Sequence, residues 1–201
     1  MKRIVYRLGM VAGIVIMVAM FMAYYVTEQG VFETEPVGIM ELREQNKTRS
    51  QKWLDGQVAW LRLDGTHIDY PVMQTKDNYW YLNHDYYGNN ATSGAIFLDY
   101  RNASNFADSV SIIYGHRMNG NLMFSDVAKY GNAEYFAEHT HGELIMPKQR
   151  IDLRVEEYRE ISSEDELYRD LTWNAGGPAL ILSTCSRGNH KARDVLVLSY
   201  E

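Results

Sequence analysis

Hydrophobic residues in this chain fall into short runs separated by turn-forming residues. Val58-Ala59-Trp60-Leu61-Arg62-Leu63 is followed by His67-Ile68-Asp69-Tyr70 ahead of Pro71, and Asp64-Gly65 between them is a hairpin signal. Ala95-Ile96-Phe97-Leu98, Val110-Ser111-Ile112-Ile113-Tyr114 and Glu143-Leu144-Ile145-Met146 continue the series, and Ile151-Asp152-Leu153-Arg154-Val155 alternates cleanly. Ala179-Leu180-Ile181-Leu182-Ser183-Thr184-Cys185 and Val195-Leu196-Val197-Leu198 close it. Runs of this length, bounded by turns, predict about eight strands. Helical stretches are predicted over 77–83, 122–130, 133–139 and 164–171, the last capped by Ser162 or Ser163. Residues 34–55 are polar with scattered apolar positions and read as a stalk leading into a helix ended by Gly56. The series predicts a mainly β fold with short helices, a barrel or sandwich.

The first 30 residues follow a different pattern. Lys2, Arg3 and Arg7 precede residues 8–26, a run of 19 without a charge. As a helix it spans about 28 Å, close to a hydrocarbon core of about 30 Å. With the basic residues on its N-terminal side, the run is expected to be a single-pass signal anchor, N-terminus cytoplasmic and the remainder outside. It is too long for a signal-peptide core, and no A-x-A-like cleavage site closes it. The expected organisation is a cytoplasmic N-terminus over 1–7, a transmembrane anchor over 8–26, a stalk and helix over 27–55, and a folded domain over 56–201. Three of the 20 Lys and Arg precede the run, leaving 17 against 26 Asp and Glu, a net charge of −9. That balance argues against a nucleic-acid partner.

Cys185 is the only cysteine, so it forms no disulfide within the chain. At the end of an apolar strand, with Arg193 eight residues on, it is a candidate nucleophile as well as a small buried hydrophobe. A thiol needs a base or charge partner, because only a few per cent is thiolate at neutral pH. His116 ends a strand, with Gly115 allowing the backbone to turn, and two strand ends can face one cleft. His190, in the loop after Cys185, is the backup. His67 and His84 read as surface or packing positions, and the spacing of His139 and His141 is a weak metal signal. Arg187 and Arg193 both stand near enough in sequence to hold an oxyanion. Arg193 is preferred, because it starts a strand and so has the rigid support a pre-organised donor needs, whereas Arg187 lies in a loop.

Leu182-Ser183-Thr184-Cys185 with Arg193, and Tyr114-Gly115-His116 upstream, resemble a sortase of class B. The resemblance runs from about Trp60 to Leu198. It takes in Ile68-Asp69-Tyr70-Pro71-Val72-Met73-Gln74, Asp77-Asn78 with Tyr81-Leu82, Gly94-Ala95-Ile96-Phe97-Leu98-Asp99, and Gly120-Asn121-Leu122-Met123-Phe124. It implies an eight-stranded sortase-type β-barrel on the outer face of a Gram-positive membrane. It also implies a cysteine transpeptidase that cleaves a C-terminal sorting motif of a secreted protein through a thioacyl-enzyme. An amine, first of all one of a peptidoglycan precursor, resolves that intermediate. Carried over, Cys185 is the nucleophile, His116 the general acid and then base, and Arg193 the holder of the substrate carbonyl or oxyanion. Asn78, Leu82, Ser183 and Thr184 line the sorting-motif groove, although Leu82 also fits a core position. No cofactor and no metal is expected; no acidic cluster has calcium-loop spacing.

Two departures from the family pattern stand out. Class B enzymes usually carry a long helix before the cysteine strand, whereas residues 162–177 have room for two or three turns. Ser186 and Arg187 follow Cys185, where acidic or aromatic residues are common. Two rival readings remain: a pilin-polymerising enzyme using a lysine acceptor, and a membrane-tethered binding domain in which Cys185 is inert.

Overall fold

Eight strands close into one barrel in the computed structural model, which describes residues 38–47, 53–173, 176–186 and 189–201, with backbone alone at 185, 186, 189 and 190. The strands are β1 (Gln57–Leu63), β2 (Asp69–Met73), β3 (Ile96–Leu98), β4 (Val110–Tyr114), β5 (His141–Ile145), β6 (Arg150–Ser162), β7 (Ala179–Ser186) and β8 (Asn189–Tyr200). Around the barrel they run β1-β2-β3-β4-β7-β8-β6-β5, and β5 pairs back onto β1. The β2/β3 and β4/β7 pairs are parallel and the others antiparallel. Among the described residues three short α-helices decorate it: α1 (Ile39–Lys47), α2 (Ala133–Glu138) and α3 (Glu166–Asp170). The predicted mainly β architecture with short helices is therefore present. The expected anchor over 8–26 lies outside the described residues, among which no helix is long and apolar enough to cross a membrane.

The wall built from β4, β7 and β8 positions the site. Its strands are apolar on both faces, which is why they read as continuous hydrophobic runs. Ile113, Leu180, Leu182, Leu196 and Leu198 face the barrel core. The alternate residues Val110, Ile112, Ile181, Val195 and Val197 form a second cluster with Leu167 of α3. Helix α3 thus covers the outer face of this wall.

Several boundaries differ from the sequence pattern. The second strand is not the run before Pro71 but β2, which contains it. Leu63 N–H donates to the Ile68 carbonyl, so by alternation Trp60 and Pro71 are a non-hydrogen-bonded pair. Pairing to β3 begins only at Val72, so the missing proline N–H breaks no ladder bond. The helix predicted over 77–83 is a single 3₁₀ turn, Trp80–Leu82, led by Asp77 Oδ1 accepting from the N–H groups of Tyr79 and Trp80. The helix predicted over 122–130 is a 3₁₀ segment, Ser125–Gly131, because Met123 is left-handed at φ +53° and blocks an earlier start. Helix α3 is capped by Asp165, whose side chain accepts from Leu167 N–H, and not by Ser162 or Ser163. Strands β6 and β8 run well beyond their predicted lengths, pairing with each other.

Candidate active site

An open cleft of about 320 Å³ lies on the outer face of this wall, beyond the cover of α3. Its lining includes Asn78, Leu82, His116, Ser183, Thr184 and Arg193, six of the seven residues nominated from sequence. The seventh, Cys185, is placed by its backbone: in the β7/β8 ladder it is the direct register partner of Arg193. Directly opposed residues in an antiparallel pair have Cβ atoms about 4.5–5.5 Å apart. Arg193 is the fifth residue of β8 and so does not open its strand as the pattern suggested. Arg187 and the side chain of His190 lie outside what is described.

His116 stands two residues beyond β4. Gly115 N–H still donates to the Ser183 carbonyl, which keeps the chain beside β7 for one more residue. Gly115 is required here by close approach rather than by a turn. A Cβ would lie 2.8 Å from the Phe124 ring and closer still to the Ile96 side chain. The His116 carbonyl accepts from Phe124 N–H at 3.0 Å, and His116 Nε2 lies 2.6 Å from the Leu82 carbonyl oxygen. A carbonyl can only accept, so Nε2 carries the hydrogen and Nδ1 is the ring nitrogen left to exchange a proton.

The groove residues divide by role. Leu82 is 41% exposed, so it is a cleft residue and not part of the core. Ser183 is buried, its hydroxyl 2.8 Å from that of Tyr168 on α3. Thr184 is also buried, and its hydroxyl has no hydrogen-bond partner among the described residues. Asn78 is held at both ends of its amide: Nδ2 donates to Asp99 and Oδ1 accepts from Tyr100 N–H.

Asp99, which sequence reasoning did not single out, organises one wall of the cleft. It is fully buried and accepts from Asn78, from the Tyr114 hydroxyl, and from Arg101 through Nε, Nη2 and the backbone N–H. Burial pushes its carboxyl up, but the Arg101 bonds, with those of Asn78 and Tyr114, outweigh this and hold it below the usual range. Burial, followed by the Asp99 charge, pushes the Tyr114 phenol up, so Tyr114 remains a neutral donor. Arg101 also donates to the carbonyls of Tyr168 and Arg169, satisfying the last turn of α3. One buried carboxylate therefore ties the β3 exit, the Asn78 loop and α3 together around the opening. The signal available in sequence was the Asp-x-Arg spacing at 99 and 101, which carries no meaning until the topology brings α3 across.

The chain folds as a closed eight-stranded barrel whose cleft gathers histidine, arginine and the cysteine strand. Comparison with known proteins agrees. No protein-family model matches the chain. Sortase B of Listeria monocytogenes is 45% identical over 89 residues, 44% of this chain and 36% of that protein. Sortase B of Staphylococcus aureus is 31% identical over 112 residues, 56% of this chain and 46% of that protein. The chain thus spans less than half the length of these curated relatives. The solved sortase B of Clostridium perfringens superposes with a TM-score of 0.66 at 25% identity, covering 79% of this chain and 99% of that one. A Streptococcus pyogenes class B sortase involved in pilus biogenesis gives a TM-score of 0.66 at 26% identity, covering 73% and 93%. In sequence and in structure the chain's relatives are class B sortases, as its motifs led us to expect.

Proposed function

We propose that this protein is a membrane-anchored cysteine transpeptidase, with residues 8–26 as its anchor and residues 56–201 as its catalytic domain outside the cell. The observation that carries the reading is the convergence of the nominated residues on one cleft, with Cys185 and Arg193 as register partners. The likeness to class B sortases supports it, and so does the uncharged run behind three basic residues.

In this mechanism the Cys185 thiol passes its proton to His116 and its sulfur attacks the carbonyl carbon of the scissile peptide bond in the sorting motif. A C–S bond forms, and Arg193 balances the charge developing on the carbonyl oxygen with its planar fork of donors. His116 gives a proton to the departing amine as the C–N bond breaks, leaving a thioacyl-enzyme. An incoming amine, most simply that of a peptidoglycan stem peptide, forms the new amide bond while His116 takes its proton. The thiolate leaves and takes that proton back from His116, which restores the site. Asn78, Leu82, Ser183 and Thr184 contact the motif. No step requires a metal or cofactor.

Cys185→Ala in the full-length chain is expected to abolish cleavage of sorting-motif peptides while the fold survives, followed by peptide chromatography and circular dichroism. Retained cleavage would sink the proposal. A thiol that reacts with alkylating reagents only after unfolding would favour the tethered binding domain instead. The likeness to the Streptococcus pyogenes enzyme of pilus biogenesis supports a second reading of the acceptor, a pilin lysine. Mass spectrometry of the amide product separates the two acceptors.

A further inference from the structure

His116 and Arg193 each have a charged neighbour in sequence, and those two neighbours are bonded to each other. Arg117 Nη1 donates to Asp194 Oδ2 at 2.8 Å, and the Tyr158 hydroxyl donates to Asp194 Oδ1 at 2.8 Å. Asp194 is only 2% exposed, so this is a buried, geometrically defined pair and not a loose surface contact. Alternation along β8 turns Asp194 to the face opposite Arg193, where its register partner is Thr184, next to the Cys185–Arg193 pair. The ion pair therefore lies behind the reacting groups, on the core side of the wall.

The problem such a pair addresses is specific. Cys185 and Arg193 are fixed to each other by the β7/β8 ladder. His116 lies past the end of β4, where the ladder no longer holds it. Its backbone is tied on one side to the loop that follows, through Phe124 N–H to the His116 carbonyl and an isolated bridge between Arg117 and Met123. On the other side the tie is Arg117 to Asp194. We propose that Arg117 and Asp194, with Tyr158, form a positioning clamp that holds the histidine segment in register with the Cys185–Arg193 pair. The idea rests on reading the cleft as a transpeptidase site, yet it makes a structural claim that can be read without turnover. Misplacing a reacting group by about 1 Å costs roughly 10²-fold in rate, so a clamp of this kind matters to kcat rather than to substrate binding.

The test uses the full-length chain in detergent, labelled with ¹⁵N. The His116 Nε2–H, bonded to the Leu82 carbonyl, gives an imidazole resonance distinct from that of His139, whose Nδ1 donates to Tyr135. Arg117→Gln is expected to shift or broaden the His116 signal and leave that of His139 in place. It should lower kcat for a sorting-motif peptide roughly 10- to 100-fold, with KM within about twofold. Arg117→Lys, which keeps the charge, should recover much of both. Arg117 is 25% exposed, so these variants are better placed to fold than changes at buried Asp194. A folded Arg117→Gln with an unchanged His116 resonance and unchanged kcat would overturn the clamp. So would a loss carried by KM alone. If the wild-type chain cleaves no sorting-motif peptide, the transpeptidase reading fails, and the clamp then stands or falls on the His116 resonance.

Discussion

The outer face of the β4/β7/β8 wall is two surfaces in one. Along its first half, Val110, Ile112, Ile181, Val195 and Val197 are buried under α3. At its far end the same strands present Tyr114, Ser183 and Arg193 to an open cleft. The change comes within two residues: Ile181 is core and Ser183 lines the site. The apolar half anchors strands and helix, and so fixes the polar half to tolerances that loops alone would not give. Polar groups are kept to the strand ends, where a substrate can reach them and where the loss of apolar packing costs least.

Arg193→Ala should produce the largest effect that separates the halves. We expect kcat to fall roughly 10²- to 10³-fold with little change in melting temperature, since a lost oxyanion donor acts only in the transition state. Arg187→Ala should be silent, and the reverse result would move the role to Arg187. Asp99→Ala tests the wall that joins the halves. Removing one partner of a buried pair costs about 3–5 kcal/mol, and because Arg101 is 29% exposed the lower end, about 3 kcal/mol, is expected by chemical denaturation. Its pH dependence follows from the lowered Asp99 carboxyl. A depressed folded pKa contributes stability that is fully present above the unfolded value of about 3.9 and lost as pH falls through the folded one. The gap between wild type and Asp99→Ala should therefore narrow in acid below about pH 4 and stay constant above it.

Ile181→Ala probes the apolar half. It should cost about 2–3 kcal/mol of stability and leave kcat within about twofold at a temperature where the variant is folded. A large loss of kcat in that folded variant would show that the two halves are not separable. Tyr168→Phe should have the smallest effect. It removes the bond to Ser183, worth about 1 kcal/mol, and should appear mainly as a modest change in KM measured with the same peptide.

Much of this division was legible in the sequence because burial writes itself as pattern. The runs at 110–113 and 179–182 are covered on both faces and mostly apolar, and each gives way to polar residues. Position alone nominates His116 and Cys185, which close such runs; Ser183 and Thr184 come only from the resemblance to class B sortases, and Arg193, preferred as the start of a strand, sits five residues into β8. Features held together by pairing rather than by burial were hidden. The second half of β6, rich in Glu and Arg, is a strand because β8 lies beside it, past a bulge between Val155 and Glu157, and no alternation announces it. Arg117 with Asp194 joins residues whose approach depends on barrel closure, and the local Asp99–Arg101 pair gains its role only when the fold brings Asn78, Tyr114 and α3 to it. Local rules failed for the same reason at Pro71, which reads as a strand terminator but sits where the ladder does not need its N–H.

The central claim is that Cys185 carries the substrate in this cleft. Incubating the full-length protein with a sorting-motif peptide, quenching in acid and digesting for mass spectrometry tests it directly. The account predicts an acyl adduct on the fragment that contains Cys185, discharged when a primary amine such as triglycine is added and absent in Cys185→Ala. An adduct on another residue, or peptide cleavage with none on Cys185 at any quench time, would contradict it.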